Sequence, residues 1–175
     1  MDAEPEPGMP DNRDWTTVLD GGCEECGYRP HDPLTTDERL AAVAERWVVV
    51  LDRPDVATRP APRVWSPLEY AGHSRDLIEV LGDRLAAMLE VDNPTYADFD
   101  GEAAVREREY WRARAASLAG QLVRDTGRTR EILGRVGDAD WDRTGRRGDG
   151  YVFTVATLCQ YIVHDVEHHL HDVDG

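Results

Sequence analysis

The chain has 175 residues, 41% hydrophobic and 31% charged, and its formal charge of −15 reflects 35 acidic against 20 basic residues. That length predicts one domain able to bury a core without staples. The charge argues against a nucleic-acid partner, since such binders neutralise phosphates with a basic patch. The longest apolar run, Trp47 to Leu51, is too short to span a bilayer.

Residues 1–14, "MDAEPEPGMPDNRD", carry three prolines and many acids, and are expected to form a disordered tail. They lack the basic and apolar regions of a secretory signal, and three cysteines make no disulfide framework, so a cytoplasmic protein is expected. Residues 15–33 read as a loop segment carrying a CxxC, and residues 34–175 as a helical domain. Thr35 and Glu38 fit a capping box, and Leu40, Val43, Trp47, Val50 and Leu51 recur at helical spacing. After a proline-rich break, Ser66, Pro67 and Glu69 open a second helix whose stripe runs through Ile78, Leu81, Leu85 and Leu89. A third helix is predicted over 103–136, with Gly120, Gly127 and Gly134 as places to bend. A fourth runs from about 154 to 173, and no stretch alternates convincingly as a strand. The fold class is therefore all-α, a four-helix bundle.

"HDVEHHLHDV" places four histidines between 164 and 171. On a helix, His164 and His168 project side by side, near enough for both to reach one ion about 2 Å from each. His171 lies near that face, whereas His169 falls toward the apolar stripe and reads as a core or boundary residue. Two imidazoles rarely hold a metal alone. If the second and fourth helices are neighbours, His73 in "EYAGHSRD" can complete the set and leave coordination room, as in a catalytic site. The competing reading is plain: the face of His164 and His168 lies nearly opposite Leu158, Ile162 and Val166, so it can simply be solvated.

From about residue 34 to 173 the chain resembles the DinB superfamily, and "WSPLEYAGHSRD", "DWDRTGRRGDG" and "YIVHDVEHHLHDV" are similar to its actinobacterial members. The resemblance implies an up-down-down-up four-helix bundle and a divalent ion held by His73, His164 and His168. Characterised members include thiol S-transferases using mycothiol or bacillithiol, a mycothiol-dependent maleylpyruvate isomerase and the helical domain of ergothioneine-forming enzymes; family members commonly pair as homodimers. The implied function is a metal-dependent transfer of a low-molecular-weight thiol to a small electrophile, with zinc as the first choice and nickel or iron as others. The alternative is a non-catalytic metal-binding bundle. No catalytic side chain is assigned. Tyr70, Tyr161 and Asp165 are candidates to line the pocket or orient a ligand histidine, although aromatics and acids at such positions more often pack or face solvent.

"GGCEECGYRPH" is a feature that a bare bundle does not need. C-x2-C after glycines is half of a zinc site, and Cys23, Cys26 and His31 have the spacing of three knuckle ligands. The pair can bind a second ion with His31 or with a C-terminal histidine, act as a redox dithiol, or be two ordinary thiols. The glutamates at 24 and 25 oppose the redox reading, because they raise thiol pKa values.

Overall fold

The four predicted apolar stripes become four helix faces turned toward one another. The structure, a computed structural model, describes residues 4–9 and 13–175. Its elements are α1 (Val18–Gly21), α2 (Thr36–Leu51), α3 (Pro67–Glu90), β1 (Thr95–Tyr96), α4 (Gly101–Glu107), α5 (Ala115–Leu133), β2 (Thr144–Arg147), β3 (Val152–Thr154) and α6 (Val155–Asp172). The long helices α2, α3, α5 and α6 form the bundle; α2 and α3 each pack against both α5 and α6. Leu40, Trp47, Val50, Ile78, Leu81, Leu85, Leu122 and Leu158 are fully enclosed between them. Truncating Trp47 to alanine is expected to destabilise the bundle by about 3–5 kcal/mol.

Helix α3 starts where the sequence says. The Ser66 hydroxyl accepts from Glu69 N–H, and the Ser66 N–H donates to Glu69 Oε2 at 2.9 Å. The buried Glu69 carboxylate is satisfied further by Arg59, whose Nε lies 2.8 Å away. The box expected at Thr35 and Glu38 does not form. A short 3-10 turn, Pro33–Thr35, precedes α2, and the Thr35 hydroxyl turns back to Asp32 O at 2.7 Å.

The single third helix expected over 103–136 is divided into α4 and α5. Glu109 takes a left-handed φ of 51°, which ends the hydrogen-bond ladder. The next turn drops Tyr110 onto α3, where its hydroxyl donates to Asp76 at 2.7 Å. Gly120 and Gly127 sit within unbroken α5, because its buried face of Leu118, Leu122 and Leu133 is held by α2 and α3. A small sheet forms inside the connectors: β1 pairs in parallel with β2, and β2 antiparallel with β3, which carries Phe153 into the core. Strands this short leave no period to read in the sequence.

The tail expected over 1–14 lies partly outside the described residues, at 1–3 and 10–12. Within residues 4–9, Gly8 N–H donates to Glu102 Oε1 at 2.9 Å and Met9 N–H to Arg63 O at 3.1 Å, which lays this stretch along α4.

Candidate metal centre and its cavity

The segment before α2 decides the character of the site. It folds back over α6, and it buries a helix face that the apolar stripe alone would leave in water. His164 is 1% and His168 7% exposed. Trp15 covers both, with ring centroids 5.4 Å from His164 and 5.0 Å from His168, and Tyr28 meets His164 at 5.1 Å.

The same segment brings Cys23 and Cys26. One donor atom from each of Cys23, Cys26, His164 and His168 lies within 4.8 Å of every other, the one such group of three or more found among the described residues. A tetrahedral ion would hold such donors roughly 3.3–3.8 Å apart, so a small contraction closes the set. The local backbone suits the purpose. Gly27 takes φ +76°, a conformation that side chains disfavour, and lets the turn at 24–26 fold round with Cys23 N–H bonded to Tyr28 O at 3.0 Å.

Burial pushes the Cys23 thiol up, but the backbone N–H of Cys26, the His164 ring and the backbone N–H of Glu25 outweigh it and leave its pKa below the ordinary value. Burial raises the Cys26 thiol, and the neighbouring Cys23 sulfur raises it further. Two sulfurs side by side do not both ionise without a cation between them.

The histidines point the right atoms inward. His164 Nε2 is buried with no hydrogen-bond partner, while its Nδ1 lies 3.2 Å from Asp165 Oδ1. An enclosed ring nitrogen without a partner fits a metal donor, and the carboxylate behind it fixes the ring. His168 turns Nδ1 toward Cys23 Sγ at 3.6 Å and Nε2 toward Asp172 at 3.6 Å. Burial lowers the pKa of both rings; at His164, Asp165 and Cys23 reverse the sign, whereas at His168 burial prevails over Asp172.

His31 and His73 lie outside this set. Tyr28 donates its hydroxyl to Gln160 O at 2.9 Å, so it accepts from His31 Nδ1–H at 2.9 Å, and His31 Nε2 accepts from Thr36 at 3.0 Å. Both nitrogens of His31 are thus engaged, and burial lowers its pKa to about 4. His73, on α3, does face α6, but it meets His169 at 4.9 Å between centroids and sits among Trp65 and Phe99 at 5.2 and 6.0 Å. A Cβ at position 101 would stand 2.3 Å from the His73 ring, so the glycine there makes room for it. Burial, with His169 adding, lowers the His73 pKa well below its usual value.

His73, His164, His168 and His169, but not His31, border one cavity of 870 Å³, which Trp15 and Tyr70 also line. Tyr70 packs between Trp65 and His169, and burial raises its pKa to about 12, so it stays protonated. Tyr161 lies elsewhere, against Phe153 and Arg147. Spacing allowed a C-terminal histidine as partner of the CxxC, but it did not single out the HxxxH pair, 138 positions apart between Cys26 and His164.

The structure is a four-helix bundle whose last helix sets two imidazoles beside two cysteines, a group of donors that could hold a metal ion. A family model, the DinB superfamily, matches residues 36–173, and the chain belongs to that superfamily. No curated protein matches it significantly. Among solved structures it is similar to YfiT from Bacillus subtilis, described as a probable metal-dependent hydrolase with an unusual four-helix bundle topology. The TM-score is 0.71 at 18% identity, covering 82% of this chain and 89% of that one. Among the described residues no helix is long and apolar enough to cross a membrane.

Proposed function

We propose that the protein binds a divalent metal ion, zinc first, through Cys23, Cys26, His164 and His168, and acts on a small electrophile in the adjoining cavity with a low-molecular-weight thiol as co-substrate. The observation that carries this reading is the convergence of four zinc-type donors within 4.8 Å, two of which also wall the 870 Å³ cavity. A bound divalent cation lowers the pKa of a coordinated thiol and holds it as the nucleophilic thiolate. The chain's own groups do the rest. Asp165 orients His164, Trp15 screens the donors from water, and Tyr70 offers a protonated hydroxyl to whatever fills the cavity. Cys26 is the more open of the two cysteines, since Cys23 is fully buried, and it lines a separate pocket with Arg39 and Glu167. His73 is assigned to the cavity wall. Three free thiols suit a reducing compartment such as the cytoplasm.

The donor count favours a second reading. Four protein ligands close a tetrahedral ion, and closed sites are structural. The ion would then clamp the knuckle to α6 without turnover. Cobalt(II)-loaded protein separates the two. Thiolate-to-metal absorption from two sulfurs is expected in both cases. A small thiol that alters those bands, followed by thioether formation with an added alkyl halide, supports transfer. Bands indifferent to thiol support the clamp, and no thiolate–cobalt absorption at all would sink both.

A further inference from the structure

Arg84 stands on α3, C-terminal to His73 on the same helix, and it is 7% exposed. Its guanidinium lies 4.5 Å over the Tyr96 ring and makes one hydrogen bond, from Nη2 to Ala97 O at 3.1 Å. Among the described residues no carboxylate comes within 4.0 Å of it. A guanidinium carries five N–H donors and cannot shed its charge, so a buried one without an anion is in deficit. Burial pulls its pKa down and the Arg147 charge adds to that, while Tyr96, Tyr161 and Asp98 oppose the shift without cancelling it.

Arg84 lines a chamber of 290 Å³ that it shares with Arg147 at the end of β2. Arg147 is held by aromatic faces, 5.5 Å from Phe153 and 5.8 Å from Tyr161, and by Asp149 at 2.8 Å. Two guanidinium groups thus border one small space. The chamber adjoins the larger cavity, and His73, Asp98, Phe99, Gly101 and Asp165 line both.

We propose that Arg84 and Arg147 form a carboxylate-binding subsite, which takes the anionic end of a small organic acid whose other end lies toward His164 and His168. The second half rests on the function proposed above; the first half does not. The planar fork of Arg84 matches two carboxylate oxygens. The acids that line the chamber select among anions: Asp98 and Asp149, each more than two-fifths exposed, stand 3.8 and 2.8 Å from Arg147, and Asp165 is engaged by His164. Three nearby carboxylates oppose a phosphate dianion more than a carboxylate monoanion, so a carboxylate is the occupant that fits.

The test is an NMR titration of the zinc-loaded full chain with butyrate, its neutral isostere butyramide, and inorganic phosphate, following the Arg84 Nε–H signal. Saturable binding of butyrate is expected, with butyramide and phosphate each weaker by about tenfold or more. Arg84→Met should weaken butyrate by about tenfold, and Arg147→Met by about threefold, because Arg147 already has an anion. Equal binding of butyrate and butyramide, or an unchanged affinity in a folded R84M protein, overturns the subsite. Phosphate binding as tightly as butyrate overturns the carboxylate assignment. Should R84M not fold, R147M and the comparison of charged with neutral ligand on the natural chain decide. The titration reads binding alone, so a protein that binds butyrate without transferring thiols sinks the function proposed above and leaves this subsite standing.

Discussion

His164 and His168, both on α6, and the pair of His73 on α3 with His169 on α6 border the same cavity, yet their surroundings differ. The first pair meets sulfur: Cys23 and Cys26 bring the donor count to four within 4.8 Å. The second pair meets carbon, with Trp65, Tyr70 and Phe99 packed around two rings. Each pair leaves a buried nitrogen without a hydrogen-bond partner, Nε2 of His164 and Nδ1 of His73. Enclosure alone therefore does not mark a metal ligand. What separates the two pairs is the number and type of donors that converge, and a segment remote in sequence supplies them on one side.

The largest effects should come from breaking the sulfur-containing side. Cys23→Ser removes a fully buried donor. Metal content, read by elemental analysis, should fall from about one ion per chain to under a tenth of that, because a structural-type site loses most of its affinity with one ligand. Stability linked to the ion goes with it: the melting temperature should drop by about 10 °C, and a strong chelator should give the natural protein the same drop. His164→Ala should behave alike. A Cys23→Ser protein that keeps its metal would move the site elsewhere.

The next effect uses His31 to sharpen the comparison, since this histidine sits beside the knuckle without joining it. Its folded pKa, about 4, lies below the 6.5 of an unrestrained imidazole. The native state therefore binds fewer protons than the unfolded chain between those values, and stability rises with pH across that window. The contribution is fully present above pH 6.5 and lost as pH falls toward 4, up to about 3 kcal/mol in total. His31→Gln should flatten that part of the curve in urea unfolding at pH 4.5, 5.5 and 7, with metal content unchanged at pH 7. Acid strips the ion from both proteins alike, so the difference between them isolates His31. Parallel curves would mean that His31 does not stay neutral between Tyr28 and Thr36.

What the sequence disclosed follows from what repeats within it. The stripes through Leu40, Trp47 and Val50 and through Leu158, Ile162 and Val166 lie inside, because helical spacing is a local property. Ser66 and Glu69 cap α3 as read, since a capping box spans four consecutive residues. The break at Glu109 was not legible: a left-handed residue there depends on Tyr110 finding Asp76 on another helix. The same limit hid the joining of Cys23 and Cys26 to His164 and His168, although a C-terminal histidine was among the partners that the knuckle spacing allowed. The stripe on α6 argued that His164 faces solvent, and it would, but for Trp15 and Tyr28 folding over it. A helix reports its own faces in its periodicity; it does not report that a loop from the other end of the chain will cover the polar one.

The smallest expected effect is also the sharpest test between the two pairs. The resemblance to the superfamily assigned His73 to the metal, while the geometry leaves it stacked by Phe99 and edge-on to His169. His73→Ala should leave the ion in place, with unchanged thiolate-to-cobalt absorption, because no donor of the sulfur-containing set is touched. It should cost about 1–2 kcal/mol of stability from the lost packing against Trp65 and Phe99. Small-molecule binding in the cavity should change, since His73 lines both chambers. If metal content instead falls as far as in His164→Ala, the ion draws on both pairs. The cysteines would then be the replaceable donors, and an open three-histidine site, with coordination room for a thiol or water, would follow from the same cavity.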